Sequence, residues 1–173
     1  MTIIASLVVG SDGSTSLRGN SAALSTQADR SRFLLMHRGA GAIIIGSSTA
    51  QADPYRAQKC PVYVFSRRAD ADISAPLILV HTPDDDAINN AVQRIQAENK
   101  SPVVVEAGPS LLLKLINLGL IDSLQLSISP LSGGEHRITI DDLLAQFSIV
   151  KREVVDGTEL LECRYKGNST NSK

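Results

Sequence analysis

Residues 103–119 of the chain read VVVEAGPSLLLKLINLG. The apolar run at the start of this stretch predicts a buried strand that ends at Glu106. Pro109 suits the first position of a following helix, because its missing N–H would have no partner there, and Gly119 suits the position just past the helix end. The stretch therefore predicts a strand, a tight turn and a helix.

The turn after this strand offers a place for a pyrophosphate. Backbone N–H groups at Gly108, Ser110 and Leu111 are expected at the positive end of the helix, beside a glycine that has no side chain to exclude a ligand. Glu106 would lie at the carboxyl end of the strand, where ligands of open α/β sheets gather. An ordinary strand–helix turn with a surface glutamate fits the same residues, so this stretch by itself leaves both interpretations open.

Length and composition favour one α/β domain. The 173 residues contain 3% aromatic residues and many aliphatic ones, which fits strands covered by helices on both faces. The net charge of −1 gives no general attraction to nucleic acid. Cys60 and Cys163 form neither a metal-ligand spacing nor a disulfide framework, which indicates free thiols.

The N-terminal sequence carries no basic leader, and no apolar run approaches the ~20 residues of a membrane span. We therefore expect a cytoplasmic protein with no membrane partner.

The rest of the sequence alternates predicted strands and helices. Strands are expected at 3–9, 42–45, 62–65, 77–80, 103–106, 123–129, 148–155 and 159–166, and helices at 26–38, at 84–99 and after Pro109. The last two strands are joined by Asp156-Gly157, a strong hairpin signal. We expect one domain over 1–166, followed by a polar tail at 167–173.

Two further strand ends carry groups that can bond phosphate. GSST at 46–49 offers small residues and hydroxyls, without the lysine and spacing of a P-loop. SRR at 66–68 adds a hydroxyl and guanidinium groups, which suit the 2′-phosphate of NADP, although a solvated basic turn fits as well. No G-x-G-x-x-G follows the first strand, so a standard Rossmann domain is not indicated. Together with 108–111, these turns could hold the phosphates of NADPH along one sheet edge.

Two longer motifs resemble a known family. AIIIGSSTAQADP at 42–54 is similar to one family signature, and VEAGPSL at 105–111, with GLID at 119–122 and ISPLSG at 128–133, is similar to a second. The chain resembles the riboflavin-biosynthesis pyrimidine reductases over about 11–134. The resemblance implies a dihydrofolate-reductase-like fold, with a mixed, mostly parallel sheet flanked by helices and a C-terminal β-hairpin.

The resemblance also implies a reaction and a set of site residues. NADPH would donate a hydride to 5-amino-6-(5-phosphoribosylamino)uracil or a related pyrimidine, giving the ribitylamino product. Asp53 would be the catalytic residue, beside the nicotinamide and the reacting carbon, while Arg56 and Glu106 would bind the substrate. The residues expected to bind the cofactor are Gly46, Thr49, Asp53, Ser66, Arg67, Gly108, Pro109, Ser110 and Leu111.

Several positions depart from the family pattern on the substrate side. Ala23-Leu24 stands where the family often has a tryptophan, His37 and Arg38 stand near the place of a substrate-side arginine, and the segment at Asp53-Pro54 is one residue shorter. Two alternatives therefore stay open: a reductase of the same fold that acts on dihydrofolate or another pterin, and a non-catalytic NADP-binding regulatory protein. No zinc-deaminase motif is present, so we expect a stand-alone reductase.

Other constellations give weaker hypotheses. The acidic run at 84–86 fits helix capping better than a cation site, so we expect no metal. No G-x-S-x-G elbow supports a hydrolase triad. We also expect a homodimer that covers the strand edge at the C-terminal end of the sheet, burying Leu124, Leu126 or hairpin residues such as Val154 and Leu160.

Overall fold

The computed structural model describes residues 2–51 and 55–167 of the chain. Eight strands form one sheet in the order β4-β3-β2-β5-β1-β6-β8-β7. The strands are β1 (Ile3–Gly10), β2 (Ala42–Gly46), β3 (Val62–Ser66), β4 (Ile78–His81), β5 (Val103–Glu106), β6 (Ser123–Ser129), β7 (Phe147–Val155) and β8 (Thr158–Tyr165). The helices are α1 (Gln27–Gly39), α2 (Asp85–Glu98), α3 (Pro109–Asn117) and α4 (Ile140–Ala145), with a 3-10 helix at Ser21–Ala23. The predicted α/β class and mixed sheet are confirmed.

One compact unit consists of residues 2–4 and 36–120. In it β4, β3, β2 and β5 are parallel neighbours, and Ile45 of β2 pairs with Glu106 of β5 while Ser66 of β3 pairs with His81 of β4. These four strands consequently end at one edge of the sheet. Valine and isoleucine side chains of the strands form the core; its fully buried members include Ile43, Ile45 and Val64.

The other compact unit consists of residues 5–35 and 121–167. Here β6, β8 and β7 are antiparallel. Asp156 and Gly157 have φ angles of +49° and +77°, the combination that a tight type I′ turn requires. The predicted hairpin is therefore confirmed. Within this unit the buried carboxylate of Asp29 accepts a hydrogen bond from the Ser127 hydroxyl, which ties α1 to β6.

The stretch at 103–119 folds as its residues predict. Pro109 occupies the first turn of α3, Gly108 is the residue that precedes the helix, and Gly119 follows it with a φ of +69°. Leucine and isoleucine side chains on one face of α3 are buried, whereas Ser110 is exposed at its start. The strand, the turn and the helix are all confirmed.

Two elements and one set of interface residues differ from the expectations. The 3-10 helix and α4, three and six residues long, are too short to show a helical period in the sequence. Leu124 and Leu126 are 0% exposed, because β6 lies between β1 and β8 inside the sheet. The expectation that a partner subunit buries these two leucines is wrong, since the chain buries them itself.

Candidate functional site

A cleft of about 570 Å³ lies where four parallel strands end. It is bounded by the residues that follow β2, β3 and β4 and by the first two turns of α3. Its lining comprises Gly46, Ser47, Ser48, Phe65, Ser66, Arg67, Thr82, Pro83, Asp84, Asp85, Ile88, Gly108, Pro109, Ser110, Leu111 and Lys114. The three turns that the sequence predicts as phosphate-binding thus meet in one cleft.

Two helices begin at this cleft, and their first turns differ in charge. Helix α2 is capped by Asp84, whose carboxylate accepts the N–H of Ala87 at 2.8 Å, and two more acids follow in its first turn. Helix α3 has no acidic residue in its first turn and no side-chain cap. Its backbone N–H groups and the positive end of its dipole are therefore the ones suited to an external anion.

The two arginines in the turn after β3, Arg67 and Arg68, have different surroundings. Arg68 forms an exposed ion pair with Asp70 at 3.1 Å, and its backbone N–H donates to the Ser66 hydroxyl oxygen at 3.1 Å. Arg67 instead lines the cleft with an exposed side chain. The Ser66 hydroxyl keeps its own proton to donate, because the N–H of Arg68 uses only an oxygen lone pair. Ser66 and Arg67 therefore present donors to the cleft.

The turn after β2 approaches α3. The Gly46 carbonyl accepts the N–H groups of Thr49 and Ala50 at 3.0 and 3.2 Å, which closes the turn. A Cβ atom at Gly46 would lie 3.8 Å from Leu111. Ser47 and Ser48 are exposed at the cleft, whereas Thr49 belongs to the turn without lining the cleft. The structure thus brings together the predicted cofactor residues Gly46, Ser66, Arg67, Gly108, Pro109, Ser110 and Leu111. Thr49 is not part of the lining, and Asp53 lies outside the described residues.

Charges of both signs line the cleft. Lys114 Nζ and Asp85 Oδ1 form an ion pair at 2.8 Å that connects α3 with the first turn of α2. With Asp84 used as the helix cap, Arg67 is the cation of the lining that this pair leaves available. An anion in the cleft would therefore be drawn toward Arg67 and the start of α3.

Glu106 lies just before the cleft turn, but its side chain is buried. Its Oε1 atom accepts a hydrogen bond from His37 Nε2 at 2.5 Å. The Tyr55 hydroxyl also bonds the carboxylate. Burial, followed by the negative charge of Glu106 and this hydrogen bond, raises the pKa of Tyr55, so the phenol remains neutral and donates. Burial likewise raises the pKa of the Cys60 thiol.

The structure bears differently on Arg56, which was predicted to bind the substrate, and on Asp53, which was predicted to be catalytic and to bind the cofactor. Arg56 donates to the Ser74 hydroxyl at 3.0 Å and is exposed, and it is not part of the cleft lining. Asp53, the predicted catalytic residue, lies outside the described residues. Their roles stay predictions.

Sequence reasoning missed Asp85 as part of this cleft, and it missed the partners of His37 and Lys114. His37 looks like part of the apolar stripe of α1, and its partner is 69 residues away in the sequence. Asp85 looks like an ordinary helix-start acid. The family resemblance implied that the residues from Gly108 through Lys114 line the cofactor site, but not that Lys114 pairs with Asp85. The helical spacing of Leu111 and Lys114, which places both on one face of α3, agrees with that implication.

The described ranges, 2–51 and 55–167, also bear on metal binding and on membrane insertion. No group of three or more His, Cys, Asp and Glu side chains is arranged to hold a metal ion in these ranges. None of the helices in the same ranges combines the length and apolar character needed to cross a membrane.

Comparison with solved structures defines the class of fold. Dihydrofolate reductase from Enterococcus faecalis, complexed with NADP(H), superposes with a TM-score of 0.72 at 13% identity, covering 95% of this chain and 96% of that one. A pyrimidine reductase-like protein from Corynebacterium diphtheriae gives 0.71 at 17% identity, covering 95% and 91%. The protein thus has the predicted dihydrofolate-reductase-like fold.

The family follows from the sequence. Residues 1–159 match the family described as the RibD C-terminal domain, and the chain belongs to this family. The predicted relation to riboflavin-biosynthesis reductases is confirmed at that level. RibD from Acinetobacter baumannii has the same fold, with a TM-score of 0.71 at 17% identity; the match covers 95% of this chain and 58% of RibD. No curated protein sequence matches the chain significantly.

Proposed function

We propose that the protein is an NADPH-dependent reductase of the riboflavin-biosynthesis type. Its substrate would be 5-amino-6-(5-phosphoribosylamino)uracil or a related pyrimidine, and its product the ribitylamino compound. The observation that carries this proposal is the meeting of three donor-rich turns, after β2, β3 and β5, in one cleft. Membership of the RibD C-terminal domain family supports it.

The cleft fits the phosphates of a dinucleotide. A Cβ atom at Gly108 would have no protein atom within 4 Å, so the backbone there borders open space that a pyrophosphate can occupy. The first turn of α3 supplies N–H donors and a positive dipole end for that group. Ser66 and Arg67 supply a hydroxyl and a guanidinium group for the 2′-phosphate. These donors support NADPH rather than NADH.

The chemistry divides between cofactor and protein. When bound, NADPH supplies a hydride to the sugar C1 of the open-chain Schiff base, whose nitrogen gains a proton in forming the ribitylamino product. The turns that line the cleft hold the dinucleotide in one orientation and exclude water from its phosphates. We propose Asp53 as the polar residue beside the reacting carbon. Glu106, fixed by His37, and Arg56 are proposed for the substrate side.

The same proposal covers partners and location. The substrate is a small molecule, the functional unit is a homodimer in the cytoplasm, and neither nucleic acid nor a membrane takes part. The net charge of −1 and the mixed charges of the cleft support a small ligand over a nucleic-acid backbone.

A second candidate is a reductase of the same fold that acts on dihydrofolate or another pterin. The observation that favours it is the fold shared with a dihydrofolate reductase complexed with NADP(H). His37, near the position of the family's substrate-side arginine, is held by Glu106 and changes the chemistry of the substrate side.

One set of measurements tests these functions. NADPH oxidation is followed with the riboflavin intermediate and with dihydrofolate, beside a fluorescence titration of NADPH. Turnover of the riboflavin intermediate supports the proposal, and turnover of dihydrofolate alone supports the second candidate. Binding without turnover of either would indicate a non-catalytic NADP-binding regulatory protein, and absence of NADPH binding would overturn the proposal.

Asp53→Asn separates chemistry from folding in the same assays. If Asp53 acts on the reacting centre, the variant keeps its melting temperature and NADPH affinity while kcat falls strongly. A variant that melts far below the wild type yet keeps its specific activity would show that Asp53 only forms the turn.

A further inference from the structure

Three segments of one compact unit meet at the carboxylate of Glu106. Glu106 ends β5, His37 lies near the end of α1, and Tyr55 lies in the connection before β3. His37 Nε2 donates to Glu106 Oε1 at 2.5 Å, and the Tyr55 hydroxyl bonds the same carboxylate. The side chains of His37 and Glu106 are 5% exposed, and Tyr55 is 8% exposed. These three residues form a buried polar cluster, called here the Glu106 cluster.

Both partners of Glu106 act as hydrogen-bond donors. Burial, followed by the negative charge of Glu106, raises the pKa of Tyr55, so the phenol keeps the proton that it donates. Burial also raises the pKa of the neighbouring Cys60 thiol, which therefore adds no second negative charge. An ionised carboxylate carries no proton and has several acceptor sites, so it can accept from His37, from Tyr55 and from a further donor.

One oxygen of Glu106 has no such donor. Within 2–51 and 55–167, the Oε2 atom is buried and accepts no hydrogen bond. A buried acceptor without a partner costs free energy, and such groups in native proteins often have a catalytic or binding role. Because His37 and Tyr55 hold the carboxylate, the position of Oε2 is fixed as well.

We propose that His37 and Tyr55 are positioning residues that fix Glu106 so that its Oε2 atom accepts a hydrogen bond from an N–H or O–H group of the substrate. This inference rests on the proposed function. It adds two residues that act through Glu106, and it gives the chemical sense of the contact. A substrate amine or ring N–H complements Oε2, whereas a carbonyl oxygen or a phosphate at the same point would be repelled.

The Glu106 cluster lies apart from the groups assigned to the dinucleotide. His37, Tyr55 and Glu106 are not among the residues that line the cleft. Alternate side chains of a strand lie on the same face of the sheet, so Glu106 shares a face with Val104, which packs in one core cluster with Tyr55. The affinity for the substrate should therefore depend on His37 and Tyr55, while the affinity for NADPH should not.

Steady-state kinetics with the riboflavin intermediate, at saturating NADPH, test this proposal. His37→Met removes the donor, whereas His37→Gln keeps a side-chain amide that can donate to Oε1. The KM of His37→Met should rise by on the order of tenfold, the equivalent of one hydrogen bond to a charged group, with kcat changed far less. Tyr55→Phe should raise KM in the same way, and His37→Gln should recover most of the wild-type value. Fluorescence titration should give the wild-type NADPH affinity in all three variants.

A double-mutant cycle shows whether His37 acts through Glu106. Glu106→Gln alone should raise KM, because it replaces the accepting carboxylate. His37→Met should raise KM little further in the Glu106→Gln background, since residues that act as one unit do not have additive effects. Effects of the two substitutions that multiply in full would overturn the positioning role of His37.

Tyr63→Phe is the matched control for Tyr55→Phe. Tyr63 is also 8% exposed, but its hydroxyl bonds Glu98, and it is not part of the cleft lining. Both variants lose a tyrosine hydroxyl that is paired with a glutamate, and only Tyr55→Phe should change KM. An equal rise of KM in both variants would overturn the role of Tyr55.

The outcomes separate the two proposals. If the wild type reduces the intermediate but KM is unchanged in His37→Met and in Tyr55→Phe, the positioning roles are overturned and the reductase stands. If the wild type reduces neither the intermediate nor dihydrofolate, the proposed function fails and the positioning roles fail with it. If it reduces dihydrofolate alone, the same comparison of KM is made with that substrate. Melting temperatures check folding, and Tyr55→Phe decides the matter if His37→Met does not fold.

Discussion

His37 and Glu106 form a buried pair that connects the end of α1 with the end of β5. Their Nε2 and Oε1 atoms lie 2.5 Å apart, and both side chains are 5% exposed. Glu106 is the last residue of β5, two residues before Gly108. The pair thus fixes the strand end from which the cleft turn and α3 start.

Breaking this pair should destabilise the protein. His37→Ala leaves the Glu106 carboxylate buried without its histidine partner, and the free energy of unfolding should fall by about 1–3 kcal/mol. Urea denaturation measures the loss. His81→Ala is the control, because His81 is exposed and bonds only the Arg67 carbonyl among the contacts described for it. Equal stability of both variants would show that the pair does not hold the fold.

Arg67 should set the preference for NADPH. Arg67 is an exposed residue of the cleft lining. A charge-assisted contact from its guanidinium group to the 2′-phosphate would contribute on the order of 1.5–3 kcal/mol, or roughly ten- to a hundredfold in affinity. Arg67→Ala should erode that preference in fluorescence titrations with NADPH and NADH. Arg68→Ala should leave it unchanged, because Arg68 is paired with Asp70. Equal affinity of the wild type for both dinucleotides would remove the assignment.

Much of the fold and of the cleft could be predicted, because the sequence signals for both are local. The two ends of α3 are indicated by Pro109 and Gly119, and a hairpin turn is indicated by Asp156-Gly157. Parallel strands that end together bring the turns that follow them to one edge of the sheet. Gly46, Ser66 and Gly108 could be placed there before the structure was known.

The remaining contacts join residues that are distant in the sequence. Asp85 and Lys114 meet from two helices, and His37 meets Glu106 across 69 residues. No local pattern specifies such pairs, because they depend on how helices pack against the sheet. Thr49 also shows what a local motif cannot predict. The motif places Thr49 in the turn after β2, as observed, but it does not reveal that Thr49 is not part of the cleft lining.

Gly108→Ala should weaken cofactor binding without disturbing the fold. A Cβ there meets no protein atom within 4 Å and the φ of −59° suits alanine, so the loss of stability should stay below about 1 kcal/mol. The methyl group would instead occupy the space beside the N–H groups of α3. NADPH affinity should fall by on the order of tenfold, the equivalent of one lost phosphate hydrogen bond.

Gly39→Ala is the matched control for this variant, because its added Cβ also meets no atom within 4 Å and Gly39 is not part of the cleft lining. Calorimetry of both variants with and without NADPH separates binding from stability. Unchanged NADPH affinity in Gly108→Ala would argue that the pyrophosphate lies elsewhere.

The last prediction concerns association through β7. This strand ends the sheet, and its side chains after Phe147 are exposed; Val154, at 70%, is the most exposed large apolar side chain of the described residues. An apolar edge strand pairs readily with a second copy, and a two-fold dimer would cover it. Light scattering of the apo protein at micromolar concentration should therefore give a dimeric mass, without any need for NADPH.

Val154→Lys should convert this dimer to a monomer, since a lysine on an edge strand opposes pairing. Leu35→Lys is the control: Leu35 is 65% exposed but lies on α1, so the variant should remain dimeric. Val154 and Leu35 are not part of the cleft lining, so NADPH affinity should be the same in both variants. A monomeric mass for the wild type would refute the dimer and leave β7 as an ordinary sheet edge.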